Sequence, residues 1–198
     1  MDRPAPSDYP IHDLLSRRWS PRAFADRAIE ADKLLRLLEA ARWAPSSYNE
    51  QPWAFLIGTR EHPADYERVL GCLVEFNQSW ARSAPVLMLT VAHLTFERNN
   101  QPNRHGFHDV GLAMANLTVQ ATAEGLFVHQ MAGILPDRAR QEFAIPADWE
   151  AVSGVAIGYP GDPQSLPEQL RTRELATRTR KPLTSFVFTG SFGRSAAL

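Results

Sequence analysis

Apolar residues fall at helical spacing in some stretches and in short unbroken runs in others, and the two patterns alternate along the chain. Leu34, Leu35, Leu38 and Ala41 form a stripe that predicts a helix from about Ala31 to Ala44, stopped by Pro45. Trp53 to Gly58 is an apolar run of strand length expected to be buried, and Val86 to Val91, after Pro85, is another that fits a second strand. Gly106 to Ala123 predicts the longest helix, with Phe107, Val110, Met114, Leu117 and Ala121 along one face. Leu112, Ala113, Ala115 and Val119 lie elsewhere on its wheel. A helix apolar nearly all round must be buried nearly all round, which suggests a central helix with part of its surface covered by a second subunit. Gly125 closes it. Leu126 to Ile134 reads as strand and turn, Pro136 to Phe143 as a helix, and Val152 to Gly158 as a strand. Short helices are expected at Ile11–Ser16, Pro63–Leu73 and Leu166–Ala176, and a terminal edge strand at Phe186–Phe188. Arg17–Arg27 and Glu97–Asn103 read as polar loops. Helices outnumber strands and the strands are spread through the chain, an α+β pattern. No linker or repeat divides residues 1–198, so one domain is expected.

Composition narrows the partners. Hydrophobic residues make up 44%, charged residues 22%, and the formal net charge is −1. That balance gives no general attraction to nucleic acid or to a membrane surface. The N-terminal segment is polar and proline-rich, without the apolar core of a signal peptide, and no run reaches the roughly 18 apolar residues of a span. A cytoplasmic location is expected. The one cysteine, Cys72, reads as a small buried hydrophobe.

Four places could carry chemistry. Arg17-Arg18-Trp19-Ser20-Pro21-Arg22 puts three guanidiniums and a hydroxyl within six residues, donors suited to phosphate oxygens. Arg171, Arg173, Arg178, Arg180 and Lys181 form a second cationic stretch. Neither glycine-rich phosphate loop occurs, so any phosphate must be held by side chains. The segment from Pro45 through Ser46, Ser47, Tyr48 and Asn49 to Trp53 could present donors and acceptors to a heterocycle edge. Gln130-Met131-Ala132-Gly133 could let a flat ligand approach the backbone. Taken singly, each also reads as a solvated loop, a capped turn or a tight turn. His105, His108 and Asp109 lie close in sequence, but no further cluster completes a metal site, and none is expected.

In order along nearly the whole chain, six segments resemble those of the FMN-dependent nitroreductase superfamily. They are RRWSPRAF (17–24), APSSYNEQPWAF (44–55), NQSWARSAPVLM (77–88), DVGLAMANLTVQATAEGL (109–126), MAGI (131–134) and RTRKPL (178–183). The resemblance implies a nitroreductase-like α+β fold, a central mixed or antiparallel sheet flanked by helices, and an intertwined homodimer with FMN at the interface. It implies that Arg18, Ser20 and Arg22 meet the FMN phosphate or the flavin's pyrimidine edge, with Arg178 and Arg180 closing from the C-terminal side. Pro45, Ser46, Ser47 and Asn49 would approach from the other subunit, and Asn77 would bond the ring system. Met131, Ala132 and Gly133 would form a flavin-facing turn, with backbone N–H of the last two near flavin N5. Trp19 stands where many members carry a smaller or polar residue, so it could crowd or stack near the ligand. Ala132 stands where an acidic residue or glycine is common. The implied activity is ping-pong hydride transfer from NAD(P)H as co-substrate to a small-molecule acceptor such as a nitroaromatic or quinone, with no catalytic side chain. Alternatives are a same-fold reductive dehalogenase or dehydrogenase, or a non-catalytic flavin-binding module.

Overall fold

The computed structural model describes residues 3–197. In chain order the elements are α1 (Asp13–Arg17), α2 (Ala31–Arg42), β1 (Trp53–Thr59), α3 (Pro63–Gly71), α4 (Glu75–Ala81), β2 (Val86–His93), α5 (Gly106–Ala123), β3 (Phe127–Met131), α6 (Pro136–Phe143), β4 (Trp149–Gly158) and α7 (Glu168–Leu175). The sheet runs β1-β2-β4-β3, and every pair is antiparallel.

β2 is buried along its whole length, because helices cover both faces of the sheet. On one face Val86, Met88 and Ala92 join Leu37 and Ala41 of α2 and Val110, Met114, Leu117 and Ala121 of α5. On the other, Leu87, Leu89 and Val91 meet Val69 and Leu70 of α3, Trp80 of α4 and Ala139 of α6. An unbroken apolar run is what a strand covered on both faces requires. The register slips between Thr90 and Val91, where Thr90 Oγ1 and Ser153 Oγ lie 2.9 Å apart.

Several expectations change. The α2 stripe is Leu34, Leu37, Leu38 and Ala41, and Leu35 is 65% exposed. An i, i+3, i+4, i+7 set places these four over one another, and Leu35 points about 100° away. β1 is half-buried rather than buried, because it is an edge strand. Phe107 is exposed, although Val110, Met114, Leu117 and Ala121 of its expected face are buried. Gly111 and Ala115 are exposed with it, so within one chain α5 is open along a stripe at i, i+4, i+8. No strand forms at Phe186–Phe188; a 3-10 turn at Leu183–Ser185 is followed by a lone bridge from Phe188 to Ser195. Asn103 is buried rather than part of the exposed loop. α4 was not anticipated: it buries Asn77, Trp80 and Ala81, and seven residues are too few for periodicity to declare itself.

Candidate functional site

The segment after α1 crosses beside β3 and the end of β4. Phe24 bridges Pro160, and the Ala25 N–H donates to the Tyr159 carbonyl at 2.9 Å. From β3, His129 Nδ1 lies 2.9 Å from the Pro21 carbonyl, and its ring stands 4.5 Å from that of Trp80. Since a carbonyl only accepts, this nitrogen carries the proton. Burial, with Arg22 adding, pushes His129 down to about 4, so the ring is neutral.

The two arginine-rich stretches converge. Arg18, Ser20 and Arg22 share a cavity of about 260 Å³ with Arg173, Arg178 and Arg180 from the C-terminal segment and Arg3 from the N-terminal arm. The guanidinium of Arg18 is pushed down from its ordinary value by burial first and by Arg180 second. Arg178 is shifted the same way by burial, then by Arg18, Arg180 and Arg3. Arginine stays protonated regardless, so the crowding leaves a positive field that the one carboxylate lining the cavity among the described residues, Glu174, only partly offsets. Arg18 Nη1 reaches Ser20 Oγ at 3.3 Å. Among the described residues, Arg22 Nε and Trp19 Nε1 are buried without an acceptor. Unmet buried donors are costly, and an acceptor-rich anion in this cavity would relieve them.

Arg178 stands apart. Its guanidinium donates to the Ser16 carbonyl at 2.9 Å, to the Arg18 carbonyl at 2.7 Å and to the Arg3 carbonyl. It clamps three pieces of backbone as well as lining the cavity. Arg180 is exposed and donates only to the adjacent Thr179 carbonyl among the described residues. Trp19 is 6% exposed, edge-on to Phe127 with ring centroids 5.9 Å apart, and Arg3 lies over its ring. It is a wall of the cavity.

Asn77 and the 131–133 turn are brought together. Asn77 Nδ2 donates to the Gly133 carbonyl at 2.9 Å, and the same carbonyl accepts from the Val74 N–H at 3.1 Å. A Cβ on residue 133 would stand 2.6 Å from Asn77 Nδ2, so glycine is needed for this approach. Met131 is buried, and Ala132 is exposed.

Pro45, Ser46, Ser47 and Asn49 do not line the arginine cavity of their own chain. Their loop is set on the start of α5, where buried Asp109 accepts from the Ser47 N–H at 3.0 Å. Ser46 Oγ takes the Gln51 N–H at 3.0 Å, and Tyr48, Asn49 and Gln51 all have positive φ. Asp109 is thereby committed to the loop. Among the described residues no group of three or more His, Cys, Asp or Glu could hold a metal ion.

Sequence reasoning missed Arg3, His129, Asp109 and Glu174 as parts of these sites. Each acts on residues remote in sequence, so spacing carried no trace of it. Among the described residues, Glu174 is the one carboxylate lining the arginine cavity.

A larger hollow of about 400 Å³ lies by Asp26, Arg27, Thr59, Arg60 and His62. Its Arg60 is already paired with Asp26 at 2.7 Å, and it presents no comparable set of free donors.

A model of the nitroreductase family matches residues 15–159. A crystal structure described as an oxidoreductase containing FMN is 35% identical, with a TM-score of 0.90 over 96% of this chain and 97% of that one. A Streptomyces coelicolor protein named for NADH dehydrogenase/NAD(P)H nitroreductase activity is 29% identical, covering 73% of this chain and 80% of its own. An iodotyrosine deiodinase from Thermotoga neapolitana is 26% identical, covering 78% of this chain and 90% of its own. The antiparallel sheet, the helices on its two faces and the family match agree: the chain belongs to the nitroreductase family.

Proposed function

We propose that this chain is a single-domain, FMN-dependent NAD(P)H oxidoreductase that reduces small electron-poor acceptors, such as nitroaromatics and quinones, in a ping-pong cycle. The observation that carries the reading is the convergence of Arg18, Arg22, Arg178 and Arg180 on one cavity. The donors of Arg18, Arg22 and Arg180, with Ser20, suit a dianionic phosphate, and the unmet donors of Arg22 and Trp19 ask for acceptor oxygens. The similar crystal structure described as containing FMN supports the choice of phosphate ester.

FMN, when bound, supplies the two-electron chemistry, taking hydride from NAD(P)H and passing it to the acceptor. The chain's own residues bind and orient it. Arg18, Ser20, Arg22 and Arg180 hold the phosphate, and Arg178 braces the cavity wall. Asn77 fixes the 131–133 turn, whose Ala132 and Gly133 N–H groups would serve the flavin ring. Pro45, Ser46, Ser47 and Asn49 complete the site from a second copy. The open stripe of Phe107, Gly111 and Ala115 on α5 supports pairing of two copies. No side chain need act as acid or base.

Purified protein should show a flavin absorption spectrum that bleaches on adding NADH or NADPH and returns with a nitroaromatic or quinone. A flavin spectrum inert to both nicotinamides would reduce the protein to a binding module. Similarity to the iodotyrosine deiodinase favours one second reading, reductive dehalogenation. Reoxidation by an iodoaromatic but not by a nitroaromatic would select it.

A further inference from the structure

Glu174 sits in an unusual place for a carboxylate. It lies on α7 in the wall of a cavity whose other charged lining residues, among those described, are all arginines, and it is 1% exposed. Oε1 accepts from the Arg22 N–H at 2.8 Å and the Ala23 N–H at 3.2 Å. Oε2 accepts from the Arg22 N–H at 3.0 Å and lies 3.8 Å from Arg22 Nη1. The Glu174 carbonyl accepts from Arg3. A buried carboxylate is tolerated only when its oxygens are bonded in this way.

Two consecutive backbone N–H groups aimed at one point make an anion-binding concavity. Here the protein's own carboxylate fills it. A ligand phosphate therefore cannot take those N–H groups and must be read by side chains. The same contacts fix Arg22 and Ala23, while His129 fixes Pro21 from β3. Segment 20–23 is thus held from two sides, and Arg18, Ser20 and Arg22 project from it or beside it.

We propose that Glu174 is the positioning residue of the phosphate cavity: it sets segment 20–23 so that Ser20 and Arg22 face the anion beside Arg18, without itself touching the ligand. The assignment rests on the flavin reading only in taking the phosphate to be that of FMN. Charge and position here predict opposite signs. Removing a negative charge from the cavity would by itself tighten phosphate binding. Removing the tether weakens it.

The test measures FMN and riboflavin affinity by fluorescence titration for the wild type and for Glu174→Asp, Glu174→Gln and Glu174→Ala, with the melting temperature of each flavin-free protein. Riboflavin lacks the phosphate and reports on the ring site alone. Glu174→Asp keeps the charge but withdraws the oxygens by one methylene. It should weaken FMN by about tenfold or more, the worth of roughly one charged hydrogen bond, with riboflavin unchanged. Glu174→Gln keeps an acceptor within reach of both N–H groups and should stay much closer to the wild type. Glu174→Ala should lose at least as much as Glu174→Asp. Unchanged or tighter FMN binding in Glu174→Asp overturns the proposal. So does a parallel loss of FMN and riboflavin that tracks a lowered melting temperature, which would make Glu174 merely structural. A wild type that binds no FMN would defeat the flavin reading instead. Inorganic phosphate, titrated by calorimetry into the same proteins, then judges Glu174, and equal phosphate affinity in wild type and Glu174→Asp overturns its role.

Discussion

At the scale of single residues, arginines of similar appearance divide into different tasks. Arg180 is exposed and, among the described residues, donates only to the preceding carbonyl of Thr179, whereas Arg178 ties together the backbone at Arg3, Ser16 and Arg18. Arg180→Ala should therefore weaken FMN and leave the melting temperature of the flavin-free protein alone, whereas Arg178→Ala should lower both. Combining Arg18→Ala with Arg180→Ala should cost roughly 3–6 kcal/mol of FMN affinity, from about 1.5–3 kcal/mol per charged hydrogen bond. Equilibrium dialysis checks this, and unchanged affinity would misplace the phosphate. His129 gives a pH dependence. Its folded value lies below the ordinary 6.5, at about 4, so the unfolded chain takes up the proton more readily. Its contribution is complete above about pH 6.5 and is lost as pH falls toward 4, by up to about 3 kcal/mol. Urea midpoints at pH 7 and 4.5 should differ less in His129→Gln than in the wild type. The arginine clusters were legible in the sequence, because residue type alone names their chemistry. Their partners Glu174 and His129 were not, because a lone Glu or His says nothing of what lies against it.

At the scale of elements, periodicity located α5, α6 and β2 well, and it erred where the margin was a fraction of a turn or the element was short. In α2 the choice between Leu35 and Leu37 depends on which way the helix faces, and only packing against α5 fixes that. Leu37 is fully buried there, so Leu37→Ala should destabilise the fold by about 2–5 kcal/mol, while Leu35→Ala at an exposed site should be nearly silent. Chemical denaturation of the two variants decides it. The turn after β3 belongs to this scale as well. Gly133→Ala should push Asn77 aside and reduce flavin affinity more than overall stability, since the clash is with a side-chain amide and Val74 at the rim of the core.

At the scale of the whole molecule, the open apolar stripe of α5 predicts association. Sedimentation should give twice the chain mass of 22.2 kDa, and Ala115→Arg should return the protein to a monomer that has lost the flavin contacts of the 45–49 loop. A monomeric wild type carrying a full complement of flavin would overturn this pairing. Within one chain that loop rests on α5 through Asp109 and stays out of the arginine cavity; on the proposed reading it would reach the flavin of a second copy. None of the described helices is long and apolar enough to cross a membrane. The sequence by itself determined the α+β class, the longest helix, the strand at Val86–Val91 and the cationic character of both arginine segments, because these follow from local periodicity and residue chemistry. Only the tertiary structure decided that residues near 3, 18–22 and 173–180 enclose one cavity, and that Glu174 and His129 hold its wall. Those contacts join chain segments separated by more than a hundred residues, and no local rule of hydrophobicity or charge spans such a distance.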